Sequence, residues 1–223
     1  NLGNAYFAIN KFDSALQNYN RALEINNKYY EAFYNKGNVF FKLNELNKAL
    51  ENYQQSIFIK NDYVPAIRRK AVIFKKLEKF DEAIKNFDQI IKIKPSLGEI
   101  YHGKAFALMN LCKFDDAINN FKIALKKNPT NPDIYNMLGS TFFRQKKWEE
   151  ACENFVKALE LKHDHSLALE NLINLLTFYQ PNKNLHNSII ETNNLLKEKK
   201  YGFKLKNEIT EDQIINFFSK IYK

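Results

Sequence analysis

The tripeptide His163-Asp164-His165 is the densest group of potential metal ligands in the sequence. Imidazole and carboxylate groups bind zinc, but a zinc site needs further ligands, and no Cys or Glu cluster lies near this tripeptide. The other two histidines, His102 and His186, are far apart in the sequence. We therefore interpret the tripeptide as a solvated turn, and we expect neither a metal site nor a cofactor.

Paired acidic residues and cysteines give no stronger indication of catalysis. The pairs Asp115-Asp116 and Glu149-Glu150 lie where helices are predicted to begin, and acidic residues there suit the helix dipole. Cys112 and Cys152 form no metal or redox motif. The sequence also lacks a phosphate-binding glycine loop, a nucleophile elbow and a zinc-protease helix. We therefore expect the chain not to be an enzyme.

Three sets of residues, here called ladders, recur with a step of 34 positions. They indicate which structural elements carry the side chains described above. The first ladder contains small residues, the second alanines and the third aromatic residues. They are Gly3, Gly37, Ala71, Ala105 and Gly139; Ala15, Ala49, Ala83, Ala117 and Ala151; and Tyr19, Tyr53, Phe87, Phe121 and Phe155. A fixed period of this length predicts stacked copies of one small repeat, which usually form a binding surface.

Each repeat contains two amphipathic helices with a short break between them, such as Leu43-Asn44-Glu45. Small residues in the first ladder would let the two helices cross closely. The aromatic residue of the third ladder is expected to fill the space toward the next repeat.

The ends of the second helix are also marked in the sequence. Aspartates that can cap its first turn are Asp13, Asp81 and Asp115. Pro95 and Pro129 are predicted to end it in two repeats. Other residues replace this proline at Asn27, Asn61 and His163, and there we expect a less sharply fixed turn.

This pattern resembles the tetratricopeptide repeat, in which aromatic, Leu-Gly, aromatic, Ala, Phe, Ala and Pro positions follow in order. The match is best at Tyr135, Leu138, Gly139, Phe142, Ala151, Phe155 and Ala158. The resemblance covers residues 1 to about 165. It implies an all-α solenoid of antiparallel helical hairpins in a right-handed superhelix, with C-terminal capping helices.

We expect five repeats in residues 1–165, of which 30–63, 64–97, 98–131 and 132–165 are complete. The first is truncated, because Gly3 stands at the eighth position of its repeat. We interpret the chain as a fragment of a longer protein; the alternative is a divergent first repeat that starts late.

Residues 166–223 are predicted to form a degenerate sixth hairpin and a capping helix that covers the last apolar face. The last helix is expected to begin at Thr210, where Gln213 completes a capping box. Its apolar face makes it a candidate docking helix for another subunit, as an alternative to simple capping. That face includes Ile214, Phe217, Phe218 and Ile221.

In the family that the chain resembles, the first helices of the repeats line a concave groove. Mapped onto this sequence, the groove contains amides, aromatic residues and a basic band in repeat 64–97. The candidate partner-binding residues are Tyr34, Asn35, Asn38, Arg68, Arg69, Lys75, Lys76, His102, Phe106, Asn136, Ser140, Phe143 and Arg144. Amides can hold an extended peptide, arginines can hold carboxylates and aromatic rings can anchor a partner.

The net charge of +9 is compatible with a partner of acidic character. Nucleic acid would require a longer basic stripe with stacked aromatic residues, and Glu31, Glu99 and Asp133 interrupt any such stripe. No apolar run approaches the length of a membrane span. We expect a cytoplasmic protein with reduced cysteines and without membrane insertion, and a cytoskeletal or ciliary assembly is one setting that would suit it. The sequence does not indicate an oligomeric state.

These observations predict a non-catalytic scaffold or adaptor that binds a protein or peptide in the groove. One alternative is a permanent structural subunit of a ciliary, cell-cycle or transport assembly that docks through its terminal helices. Another is a co-chaperone that binds the acidic C-terminal tails of chaperones. For that role Asn4, Asn35 and Arg69 match the clamp residues of the family, whereas Pro65 stands where a clamp lysine is expected.

Overall fold

The computed structural model describes the backbone of residues 2–178 and the side chains of residues 2–175. The described residues form eleven α-helices and no strand. The helices are α1 (Leu2–Ala8), α2 (Phe12–Ile25), α3 (Tyr30–Lys42), α4 (Leu46–Ile59), α5 (Val64–Lys76), α6 (Phe80–Ile93), α7 (Gly98–Asn110), α8 (Phe114–Lys127), α9 (Pro132–Arg144), α10 (Trp148–Leu161) and α11 (Ser166–Phe178). The predicted all-α fold is confirmed. The candidate docking helix with Ile214, Phe217, Phe218 and Ile221 lies outside the described residues.

The chain divides into two compact units, Asn1–Leu111 and Cys112–Lys223, here called the N-terminal half and the C-terminal half. In the N-terminal half, α1 to α6 form three consecutive hairpins, and α7 packs on α6. In the C-terminal half, α8 packs on α9, α9 pairs with α10, and α11 packs on both α9 and α10. No helix among the described residues has both the length and the apolar content that crossing a bilayer requires.

Aromatic residues of the third ladder form the centre of each hairpin. Tyr53 is fully buried with Ala66 and Ile73 of the following hairpin, which confirms that the ring fills the space toward the next repeat. The same ring also presses on its own hairpin, since a Cβ atom added to Gly37 would lie 2.6 Å from Tyr53 Cε1. The small residues therefore make room for a ring as well as for a helix backbone.

The turn inside each hairpin places one residue in the left-handed region. These residues are Asn10, Asn44, Glu78, Cys112 and Lys146, all with φ between 57° and 61°. None is glycine, although this conformation favours glycine and, to a lesser degree, asparagine. Glu78, Cys112 and Lys146 are therefore strained at this turn position.

The predicted role of the three aspartates as caps is wrong. The second helices begin two residues earlier than the aspartates require, so that Lys11, Lys79 and Lys113 are the N-cap residues, and their side chains form no cap hydrogen bond. The aspartates lie inside the first turn, where a negative charge still interacts favourably with the helix dipole. Lysine N-caps are tolerated because the buried alanine and aromatic residues fix where the helix starts.

The turns that follow the second helices have similar backbone conformations at the cap residue, with and without proline. The cap residues that end α2, α4, α6, α8 and α10 all have φ between −145° and −131°. Leu97 N–H donates to Lys94 O across a turn that contains Pro95, and Tyr63 N–H donates to Lys60 O across one that does not. A similar cap conformation therefore forms with or without the proline, and the weaker definition of the turns without proline stays a prediction.

A fourth ladder was not recognised in the sequence. At the position before each aromatic residue, an asparagine donates its side-chain N–H to the backbone carbonyl four residues earlier. These residues are Asn18, Asn52, Asn86, Asn120 and Asn154. Bonding back to the helix satisfies a polar group beside the buried ring.

Candidate functional site

A pocket of about 360 Å³ opens in the N-terminal half where several predicted groove residues meet. We call it the N-terminal pocket. It is lined by Tyr34 of α3, by Val64, Pro65, Arg68, Arg69 and Val72 of α5, and by Leu97 and Glu99 at the start of α7. Pro65 suits the first turn of α5, because the missing N–H has no partner within a helix there. The structure therefore brings three predicted residues, Tyr34, Arg68 and Arg69, to one cavity.

Arg68 is already paired inside this pocket. Its Nη1 and Nη2 atoms each lie 2.7 Å from one carboxylate oxygen of Glu99, which is a two-pronged ion pair. About half of each side chain is exposed, so water screens the interaction. Arg68 can take a partner's carboxylate only in exchange for Glu99.

Arg69 has a different environment. Its guanidinium carbon lies 5.5 Å from the centre of the Phe41 ring, close enough for a cation–π contact. Among the described residues it has no carboxylate partner. Arg69 is therefore the cation of the N-terminal pocket that remains available to an acidic ligand.

Tyr34 forms one wall of the pocket as part of an aromatic group. Its ring centre lies 5.4 Å from that of Tyr63, edge to face, and 5.8 Å from that of Tyr53. Burial raises the pKa of Tyr63 to about 12, and it also raises the pKa of Tyr53. Both phenols therefore stay neutral at physiological pH, and this wall contributes shape and apolar surface without charge.

The remaining basic residues of the N-terminal half do not line this pocket. Lys75 Nζ lies 4.9 Å from the centre of the Phe106 ring, and burial lowers the pKa of Lys75. Lys76 Nζ donates to Asn44 Oδ1 at 2.7 Å. His102 is half-buried on α7. Of the predicted basic band, Arg68 and Arg69 therefore line the pocket, whereas Lys75 and Lys76 contact residues outside it.

Two predicted asparagines of this half are engaged within the protein. Asn35 donates to Asn4 Oδ1 at 3.1 Å, and Tyr53 donates its hydroxyl hydrogen to Asn38 Oδ1 at 2.8 Å. Asn4 also accepts from the Tyr19 hydroxyl at 2.7 Å. These amide oxygens hold helices together, which leaves the Asn38 N–H groups and the Asn35 oxygen for other contacts.

A second pocket, of about 410 Å³, lies in the C-terminal half. We call it the C-terminal pocket. It is lined by Ser140, Phe143 and Arg144 of α9, Phe155 of α10, and Asn171 and Asn174 of α11. Three of these residues were predicted, whereas Asn171 and Asn174 were not, because residues beyond 165 were interpreted as a cap. The signal was present: both asparagines lie 34 or 35 residues after predicted groove positions.

Asn136 does not reach the C-terminal pocket. It is 7% exposed, and its Oδ1 accepts from Asn171 Nδ2 at 2.9 Å. The same Nδ2 lies 3.3 Å from Ser140 Oγ, and Ser140 donates to the backbone oxygen of Asn136 at 2.9 Å. This network fixes Asn171 at the pocket, so Asn136 has a positioning role.

Aromatic contacts hold the other two predicted residues. Phe143 meets Trp148 edge to face, with ring centres 5.3 Å apart. Arg144 lies over the Phe114 ring at 5.2 Å, with Nη2 3.5 Å from Cys112 Sγ. These contacts hold both side chains in place, so the pocket is largely formed before any ligand binds.

The interpretation of His163-Asp164-His165 as a solvated turn is wrong for one residue. His165 is 6% exposed, its Nδ1 accepts from Ala168 N–H at 3.1 Å, and its Nε2 lies 3.1 Å from Asp133 Oδ1. It thus caps α11 and ties this helix to α9. Among the described residues, no group of three or more His, Cys, Asp and Glu side chains is placed to hold a metal ion.

The two cysteines differ in exposure and neither is in a disulfide. Cys112 is exposed and Cys152 is buried. Burial raises the pKa of the Cys152 thiol to about 12, so this residue is an inert core group at physiological pH.

Models of one repeat family match most of the length from residue 3 to residue 165. A model described as TPR repeat matches residues 3–44 and 113–146. Three models described as tetratricopeptide repeat match residues 30–63, 132–165 and 69–97. Together the matches cover more than half of the chain. A comparison with curated proteins found no match.

Solved structures of similar proteins share the fold at low sequence identity. YrrB, described as a TPR protein with an unusual peptide-binding site, is 23% identical, with a TM-score of 0.69 over 75% of this chain and 87% of that one. MamA from Desulfovibrio magneticus is 17% identical, with a TM-score of 0.70 over 74% and 93%. A thermophilic TPR protein from Thermus thermophilus is 21% identical, with a TM-score of 0.57 over 79% and 96%.

Proposed function

The chain belongs to the tetratricopeptide repeat family, and from this premise we propose that it is a non-catalytic scaffold that binds an extended segment of a partner protein in its groove. The segment carries at least one acidic residue, which pairs with Arg69 in the N-terminal pocket. We also propose that the protein is cytoplasmic.

The observation that carries the proposal is the difference between the two adjacent arginines. Glu99 neutralises Arg68, whereas Arg69 has no carboxylate partner among the described residues. A guanidinium held on an aromatic ring is already oriented, so less conformational freedom is lost when a carboxylate binds. The N-terminal pocket thus offers one prepared anion site beside the apolar walls of Tyr34, Val64 and Val72.

Two further observations support a peptide as the ligand. The pockets of the two halves combine apolar walls with a few polar groups, which is the usual composition of a binding site. YrrB, which has a similar fold, is described as having a peptide-binding site.

The test compares Arg69→Glu with Lys92→Glu, a charge reversal at an exposed residue of α6 outside the pocket. The full chain and both variants would be immobilised, and proteins retained from a cell lysate would be compared by quantitative mass spectrometry. We expect Arg69→Glu to lose acidic partners by about ten-fold or more, which corresponds to roughly 1.4 kcal/mol. Retention by Lys92→Glu should be close to that of the natural chain, and retention by the natural chain should fall with added salt.

Equal retention by all three proteins would reject the groove proposal. A single stoichiometric partner that survives Arg69→Glu would favour the alternative role as a structural subunit.

Chaperone tails provide a narrower test of the same pocket. Pro65 lines the wall where the family clamp has a lysine, so the pocket offers one unpaired cation to a ligand with several carboxylates. We expect weak binding of an acidic chaperone tail peptide in isothermal titration. Tight binding that Arg69→Glu abolishes would revive the co-chaperone alternative.

A further inference from the structure

The C-terminal pocket has an apolar floor whose position is fixed by packing. Phe155 is 1% exposed, and its ring lies so close to Gly139 that an added Cβ atom would be 2.7 Å from Cε1. Phe143 forms an apolar side and is held by Trp148. A volume of about 410 Å³ is near the lower end of ligand pockets, so it suits one large side chain.

Amide groups of α11 stand at the rim of this floor. Asn171 uses its N–H group on Asn136 and Ser140, which leaves its carbonyl oxygen as an acceptor. Asn174 is exposed, and neither of its polar groups has a partner among the described residues. Each residue of a peptide backbone offers one hydrogen-bond donor and one acceptor. The Asn171 carbonyl oxygen can accept from the donor, and the Asn174 amide can donate to the acceptor.

Charge at the pocket is of one sign. Arg144 lines it, and none of the other five lining residues is charged. Its guanidinium is oriented by the Phe114 ring, as that of Arg69 is oriented by Phe41. A carboxylate next to the buried side chain of a bound segment would therefore pair with Arg144, and no negatively charged lining residue would repel it.

We infer that the C-terminal pocket is a specificity site that takes one large apolar side chain, that of Phe, Leu or Met, from an extended partner segment with an acidic residue beside it. Asn171 and Asn174 bond the backbone of that residue, and Arg144 pairs with the adjacent carboxylate. This inference rests on the proposed groove function and specifies which residue of the partner gives it selectivity.

The experiment uses random-sequence peptides displayed on phage and selected on the full chain. Individual selected peptides are then measured against Asn174→Trp, which places a bulky ring at the pocket rim, and against Arg144→Glu. The matched controls are Asn119→Trp and Lys122→Glu, at exposed positions of α8 that do not line the pocket. Circular dichroism and thermal melting verify that each variant is folded.

We expect the selected peptides to share a large apolar residue next to an acidic one. Both pocket variants should weaken their binding by about ten-fold or more, and both controls should leave it unchanged. Selected peptides that bind Asn174→Trp and Arg144→Glu as well as the natural chain would overturn the inference.

The outcome also separates this inference from the groove proposal. Peptides that lose binding only in Arg69→Glu would keep the proposed function and reject the C-terminal specificity site. If no peptide is selected, or if binding depends on neither Arg69 nor Asn174, both proposals are wrong.

Discussion

The N-terminal and C-terminal pockets are built from corresponding helices but present different chemistry. In the N-terminal pocket Arg68 of α5 is paired with Glu99 of α7, whereas Arg69 has no carboxylate partner among the described residues. In the C-terminal pocket the Asn171 amide of α11 donates to Asn136 of α9, and within the described part of the chain the Asn174 amide has no hydrogen-bond partner. A position in the repeat therefore does not define a binding role, because the residue one repeat away decides whether a side chain is available.

The largest expected change in stability concerns the core beneath the C-terminal pocket. Phe155→Ala removes a fully buried ring and should lower the free energy of unfolding by about 3–5 kcal/mol. Tyr53→Phe in the N-terminal half removes only the hydroxyl that donates to Asn38, and should cost about 1 kcal/mol. Urea denaturation measures both. A cost of Phe155→Ala as small as that of Tyr53→Phe would mean that the Phe155 ring is not the centre of its hairpin.

The cap of α11 gives the next largest effect. His165→Ala removes the acceptor for Ala168 N–H and should cost about 1–2 kcal/mol. Hydrogen exchange should then increase in α11 while α3 and α4 are unchanged. His165→Asn should restore most of the protection, because asparagine is a good N-cap residue. Equal protection in the alanine variant would show that α11 is held by packing alone.

Left-handed turn residues provide a smaller test of a feature that both halves share. Glu78→Gly and Lys146→Gly should each stabilise the protein by about 1 kcal/mol, because glycine adopts this conformation without strain. Asn10→Gly is the control and should change stability by a few tenths of that amount, since asparagine tolerates the conformation. Thermal melting would measure the three variants, and a destabilised Glu78→Gly would contradict the explanation.

The ion pair in the N-terminal pocket should have the smallest effect on stability. A double-mutant cycle with Arg68→Met and Glu99→Gln should give a coupling energy of about 0.2–1 kcal/mol, because both side chains are half-exposed. A larger value would mean that Glu99 holds Arg68 too firmly for any ligand to compete. Denaturant titration of the four proteins supplies the cycle.

Much of the fold follows from local pattern, whereas much of the site does not. The recurrence of apolar residues at helical spacing involves residues within one or two turns of each other, so helices and their buried faces can be predicted from the sequence. The start of α6 at Phe80 was mispredicted, because packing between hairpins outweighs the capping preference of Asp81. Local preferences contribute about 1 kcal/mol each, less than a buried aromatic ring.

By itself, the sequence determined that this protein is an array of helical hairpins of the tetratricopeptide type, and which face of each first helix is polar. A period of 34 residues and helical spacing are sufficient for that, since each repeat buries its apolar stripe on its neighbour. Only the tertiary structure decided which polar side chains remain available. Arg68 and Glu99 are 31 residues apart in the chain, and Asn136 and Asn171 are 35 apart, yet each pair is in hydrogen-bond contact. Such pairing depends on atoms that the folded chain brings within about 3 Å, and no local pattern records it.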